Sequence, residues 1–297
     1  MFDVLSYEEF EERFPDNEAC YHYLEKQKWP DGFRCPRCGE RRFYRIRKGR
    51  VLQCRACHRQ ESVTSGTLFE KTKVPLRKWF LTIWFVSQDK GGISSLRLAK
   101  HLGVSQRTAW LMLHKLRRVM GQANATVRVQ GTVELDDAFF GGKAPGKRGR
   151  GAARKTKVLV CVEVQDDKAG RVVLKAVPAV GRTAVEQLVR QHLAAGTHIH
   201  TDAYPSYHHL KTKYQHTVHQ ALPREAVREL PWVHKVISLA KRFLLGTYHG
   251  VTGRYLQAYL HEFAFRFNQR FSERATFFSL LKHCAYAQPI RISALCY

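Results

Sequence analysis

Negative charge is scarce in this chain. Its 297 residues hold 25 Asp and Glu against 50 Lys and Arg, a formal charge of +25. A surface so short of acid suits a polyanionic partner, nucleic acid above all. Long apolar runs are missing too. No stretch of about 18 apolar residues occurs, so no membrane-spanning helix is expected. The first residues, Met1-Phe2-Asp3-Val4-Leu5, offer neither the basic nor the apolar region of a secretory signal. Cysteine is limited to eight residues, four of them in two tight pairs, with Cys20, Cys161, Cys284 and Cys296 scattered. That usage excludes a disulfide scaffold and fits a reducing, cytoplasmic setting with one metal site.

What acid there is lies unevenly. Residues 1–18 carry Asp3, Glu8, Glu9, Glu11, Glu12, Asp16 and Glu18 against Arg13, whereas residues 34–59 carry ten Arg or Lys against Glu40. The positive field therefore begins at the first cysteine pair. That pair, Cys35-Pro36-Arg37-Cys38-Gly39, is followed fifteen residues later by Cys54-Arg55-Ala56-Cys57. Two such pairs can place four thiolates around one Zn2+, a closed structural site with no open position for chemistry. Residues 41–47 and 51–53 read as the strands between the knuckles, and Arg41, Arg42 and Arg45 give them a basic surface suited to phosphate.

Next comes a helical region. Pro75 starts a buried amphipathic helix over 76–88, and Gly91-Gly92 ends it. A shorter helix over 96–102, a turn at Gly103-Val104, and a third helix over 106–118 capped by Ser105 have the layout of a helix-turn-helix. Gln106, Arg107 and Thr108 then fall where such motifs present base-reading side chains.

From residue 127 the pattern turns to period two. Strands are expected over 127–140, 158–164, 172–177, 198–202 and 216–219, with a helix over 183–195 after the third. Three strands, a helix, two more strands and then helices is the order of an RNase H-like mixed sheet, an α/β fold. In that fold one acid sits on the first strand and another just past the fourth; here these are Asp136 and Asp202. Paired carboxylates at strand ends can seat divalent cations for in-line phosphoryl displacement. The third ligand is left open by the residues alone: Glu225 and Glu229 lie between two prolines, and His234, Ser238 and Lys241 share one helix face. Basic residues at 143–157, with Lys147, Arg148 and Arg150 at their centre, read as a loop that clamps DNA backbone. The histidines at 192, 198, 200, 208, 209, 216 and 219 crowd around Asp202 in no known ligand spacing. Trp79, Trp84 and the Phe-rich stretch at 263–278 read as core.

Over roughly residues 15–272 the chain resembles the bacterial and archaeal insertion-sequence transposases that carry an N-terminal zinc ribbon. The phrases that carry the resemblance include Thr64-Ser65-Gly66-Thr67-Leu68-Phe69, Val133-Glu134-Leu135-Asp136-Asp137, His200-Thr201-Asp202-Ala203-Tyr204 and Glu262-Phe263-Ala264-Phe265-Arg266. The resemblance implies catalysis by Asp136, Asp202 and His234 with Mg2+ or Mn2+, with Lys241 touching DNA near the cleaved phosphate. It also implies a later element at Glu262 and Arg266, with Gln269 standing where the family has a second arginine. It implies double-stranded DNA partners, terminal inverted repeats and target, held by a synaptic dimer or higher oligomer in the prokaryotic nucleoid. The competing readings are a non-catalytic DNA-binding regulator and a nuclease that cuts without joining. The expected organisation is an acidic helical segment at 1–30, the ribbon at 31–62, the helix-turn-helix region at 63–122, the catalytic domain at 127–272 and a tail at 273–297.

Overall fold

The computed structural model describes residues 3–141, 155–220 and 226–295. In chain order the elements are α1 (Tyr7–Arg13), α2 (Asn17–Lys28), β1 (Phe43–Ile46), β2 (Val51–Cys54), β3 (Gln60–Ser62), α3 (Leu76–Gln88), α4 (Ser95–Leu102), α5 (Gln106–Asn124), β4 (Thr132–Phe140), β5 (Thr156–Gln165), β6 (Lys168–Val177), α6 (Arg182–His192), β7 (His198–Asp202), β8 (Gln215–His219), α7 (Ala226–Glu229), α8 (Pro231–Tyr248), α9 (Gly253–Asn268) and α10 (Glu273–Tyr286). They form two compact units. One comprises Met1–Val119 with Gln269–Leu295, and the other is built on Met120–Asn268.

The first unit gathers α2, α3 and α10 around an aromatic core. Phe10, Phe14, Phe80 and Phe277 are buried, and the Phe14 and Phe80 rings meet edge to face at 5.0 Å. Each fully buried ring is worth roughly 1.5–3 kcal/mol, so this cluster carries much of the unit's stability. Residues 273–297, expected as a tail, instead supply α10. Its Phe277, Leu280, Leu281 and Cys284 are buried, and Ser272 caps it by accepting the Ala275 N–H. A tail could not bury that much apolar surface without a partner, and α3 is that partner.

The second unit holds a five-stranded sheet in the order β6-β5-β4-β7-β8. β4, β5 and β6 form an antiparallel meander, while β4, β7 and β8 run parallel. Numbered one to five in chain order, the strands lie 3-2-1-4-5 with strand two antiparallel, the RNase H-like arrangement. Alternation divides the side chains between two cores. Ala138, Phe140, Val158, Val160, Val172 and Leu174 pack under α8 and α9. Val133, Leu135, Leu159, Cys161 and Val173 pack under α6. The first strand begins at Thr132 rather than at 127. Gly131 takes φ +65°, which breaks the extended run, and Val129 makes an isolated bridge to Leu193.

Candidate active site

Parity along β4 decides which face each acid serves. Glu134 and Asp136 share the α8 side with Ala138 and Phe140, while Asp137 turns to the α6 side, where the Tyr207 hydroxyl donates to its Oδ1 at 3.3 Å. Of the two neighbouring aspartates, Asp136 is therefore the one on the α8 side. β4 and β7 pair in parallel up to Leu135 and Thr201, and Asp136 and Asp202 are the next residues on each strand. Adjacent strands lie about 4.8 Å apart, so the two carboxylates leave neighbouring backbones on the same face. Asp136 is 8% exposed. Asp202 is half-buried, and its Oδ1 accepts the Tyr204 N–H at 3.1 Å, a turn that ends the strand.

α8 supplies the third group. Val233, Val236, Ile237, Ala240, Phe243 and Leu244 form its buried stripe. His234 flanks that stripe, and its Nδ1 lies 3.8 Å from Asp136 Oδ2. Two turns on, Lys241 Nζ stands 5.7 Å from the centre of the Phe140 ring. Withdrawal from water lowers the Lys241 pKa, Lys155 lowers it further, and Asp136 pulls the other way. Among the described residues, Asp136, Asp202 and His234 do not bring all their donor atoms within 4.8 Å of one another; the four ribbon cysteines do. Of the other third-ligand candidates, Glu225 lies outside the described residues, and Glu229 accepts from His219 Nδ1 at 2.8 Å.

Glu262 and Arg266 stand one turn apart on α9. Arg266 Nη1 is 3.6 Å from Glu262 Oε1, the Tyr248 hydroxyl donates to the same oxygen at 3.2 Å, and the guanidinium lies over the Phe243 ring. Glu262 is 1% exposed, so this is a buried ion pair joining α9 to the end of α8.

The histidines are where sequence reasoning saw least. His219 on β8 pairs in register with Asp202, and His200 Nδ1 meets His219 Nε2 at 3.0 Å. Burial lowers the His200 pKa, helped by His198 and His219. A parallel strand order, which no local spacing reveals, brings these rings beside the acids.

In the first unit, the four cysteine sulfurs converge. Cys35 and Cys57 are 3.5 Å apart, and so are Cys38 and Cys54. Tetrahedral Zn–S bonds of about 2.3 Å need sulfurs at about 3.8 Å, so the quartet is positioned for zinc. Each knuckle closes on a left-handed residue, Gly39 at φ +75° and His58 at φ +56°. On the ribbon surface Arg41 is exposed, Arg42 meets Glu40 at 3.1 Å, and Arg45 forms a forked pair with Glu25 on α2 at 2.6 and 2.7 Å. Arg55 covers the exposed Tyr44 ring at 4.5 Å.

The helix-turn-helix follows its residues closely. Ser94 caps α4, Gly103 takes φ +58° at its end, and the Val104 N–H donates to Ala99 O at 3.2 Å. Ser105 accepts the Thr108 N–H at 3.1 Å, and the two hydroxyls lie 2.9 Å apart. Gln106 and Arg107 are exposed at the start of α5, whereas Thr108 is half-buried in the cap. Lys147, Arg148 and Arg150 lie outside the described residues.

Comparison with known proteins matches the same two regions. Residues 128–268 fit the ISXO2-like transposase domain, and residues 15–60 fit the transposase zinc-ribbon domain. The chain is 24% identical over 210 residues to an uncharacterized protein in transposable element ISH50 of Halobacterium salinarum, spanning 65% of this chain and 70% of that one. Among solved structures, the Mos1 mariner paired end complex with Mn is similar at 12% identity and a TM-score of 0.29, covering 64% of this chain and 71% of that one. The Mos1 transposase paired-end complex with left transposon end is similar at 11% identity and a TM-score of 0.25, covering 68% and 78%. Among the described residues, no helix is long and apolar enough to cross a membrane.

Proposed function

We propose that this chain, which belongs to the insertion-sequence transposases with an N-terminal zinc ribbon and a DDE-type domain, cuts the ends of its element and joins the freed 3′-hydroxyls to target DNA. The observation that carries this reading is the placement of Asp136 and Asp202 as successive residues past the last paired positions of two parallel strands, with His234 facing Asp136 from α8. Mg2+ or Mn2+ held there would activate water or a 3′-hydroxyl and neutralise the leaving oxygen. Asp136 and Asp202 serve as oxygen ligands from a rigid sheet, which fixes their separation through the reaction. His234 adds a nitrogen donor on the α8 side. Lys241, two turns along the same helix, offers its ammonium to the phosphate beside the cut. Glu262 and Arg266 act through packing, by holding α9 against α8.

DNA is held by the first unit. Gln106 and Arg107 read the major groove of a terminal repeat from the start of α5, and Thr108 fixes the cap beneath them. Arg41 contacts phosphate, with Arg42 and Arg45 shared between DNA and their carboxylates. Lys147, Arg148 and Arg150 add contacts to the DNA backbone. Two copies in a synaptic complex would bring both ends together.

Asp136→Asn and Asp202→Asn are expected to keep element-end binding in a gel shift while losing cleavage and strand joining below detection. Cleavage that survives in either variant would overturn the assignment. Wild-type protein that cuts but never joins is a nuclease, and one that binds ends without cutting in Mg2+ or Mn2+ is a regulator.

A further inference from the structure

We infer that Glu134 is a positioning residue for His234, a role that rests on the active site proposed above. Glu134 stands two residues before Asp136 on the same face of β4 and is 5% exposed. Its Oε2 accepts the Val233 N–H at 2.7 Å. That is a first-turn amide of α8, which lacks a partner within the helix. The residue at the head of that helix is Leu230, followed by Pro231, and it makes no side-chain cap. The cap comes instead from another element, 99 residues away in sequence.

A buried carboxylate is a costly way to end a helix. A Ser or Asp at position 230 would cap the same amide from within the helix. What the strand-borne carboxylate adds is direction. The apolar stripe of α8 rests on β4 and β5, and apolar contact is non-directional, so it tolerates sliding along the helix axis. A directional hydrogen bond to the Val233 amide does not. It ties the start of α8 to the strand that carries Asp136, about 6.7 Å further along the same face. His234 is the residue directly after Val233, and its ring lies 3.8 Å from Asp136. Glu134 therefore sets the height of the imidazole over the metal-binding carboxylate, and through the same helix that of Lys241.

The test uses full-length, zinc-loaded protein with Glu134→Gln, Glu134→Asp and Glu134→Leu. Three quantities are read: the melting temperature, the His234 ring signal by NMR in zinc-loaded protein without Mg2+ or Mn2+ (assigned by its loss in His234→Gln), and single-turnover cleavage against DNA concentration. Glu134→Leu is expected to shift the His234 signal and to slow cleavage about 10- to 100-fold at saturating DNA, with the half-saturating DNA concentration unchanged. Glu134→Gln keeps an acceptor oxygen at the same reach and is expected to restore most of both. Glu134→Asp, shorter by one methylene, is expected to fall between them, and it decides the matter if Glu134→Leu does not fold. The inference fails if every folded variant leaves the His234 signal and the saturated rate unchanged. It fails equally if Glu134→Gln is more damaged than Glu134→Asp, which keeps the charge but not the reach, since charge rather than the cap would then matter. If the wild type does not cleave, the transposase reading falls, yet the His234 signal still tests whether Glu134 positions that ring.

Discussion

An imidazole among carboxylates changes which cation the set prefers. Mg2+ demands oxygen ligands in near-ideal octahedral geometry, whereas Mn2+ accepts nitrogen more readily. With His234 Nδ1 3.8 Å from Asp136 Oδ2, the proposed site should work better with Mn2+ than with Mg2+. His234→Glu supplies an oxygen donor from the same turn. It is expected to raise the Mg2+-supported rate relative to the Mn2+-supported rate by about tenfold or more. A rate ratio that does not move would remove His234 from the ligand set. At this scale the sequence was partly readable. The placement of Asp136 and Asp202 just past the paired positions of neighbouring strands was legible because it follows from the order of elements. Composition gave no reason to choose His234 over Glu229; the resemblance supplied that choice, and the structure then occupied Glu229 with His219. Glu134 was invisible as a cap because the amide it serves belongs to a helix that begins about a hundred residues later. The pairing of Glu134 with His200 was equally hidden, since register between parallel strands leaves no local mark.

Elements with their own chemical signature were read well. The two cysteine pairs, the glycine turn at 103 and the serine caps each specify geometry within a few residues, and each has the expected form. Edges without such a marker were misplaced. The first strand was drawn five residues too long because Val127 and Val129 alternate correctly, yet Gly131 turns the backbone before Thr132. The last helix was missed because its apolar residues find their partners in α2 and α3, some 200 residues earlier. The ribbon also yields the sharpest test of an element. Its core cluster is small, built on Phe33, Cys35, Leu52 and Cys54, two of them in the cysteine quartet. Zinc must therefore supply much of its folding energy, on the order of 10 kcal/mol for such sites. Cys38→Ser is expected to unfold the ribbon and weaken element-end binding at least about tenfold. Wild-type protein stripped by a strong chelator should match it. Unchanged end binding in Cys38→Ser would mean the ribbon does not support DNA recognition.

Across the whole molecule, a charge of +25 separates affinity from specificity. Each phosphate neutralised by Lys or Arg releases condensed counterions, so log K falls against log salt with a slope of about −0.9 per contact on duplex DNA. Contacts to base edges add discrimination but little to that slope. The two classes proposed for this chain lie far apart in sequence: Gln106 and Arg107 begin α5, and Lys147, Arg148 and Arg150 follow β4. Replacing those three basic residues with Ala should reduce the slope by about 2 to 3 for terminal-repeat and unrelated duplexes alike. Gln106→Ala should leave the slope unchanged and narrow the preference for the repeat by roughly 1–3 kcal/mol, about 5- to 150-fold. Titrations of both duplexes between about 50 and 200 mM salt separate the two effects. If the triple variant loses preference for the repeat while its slope holds, the stretch at 147–150 reads sequence, and the division of labour proposed here is reversed.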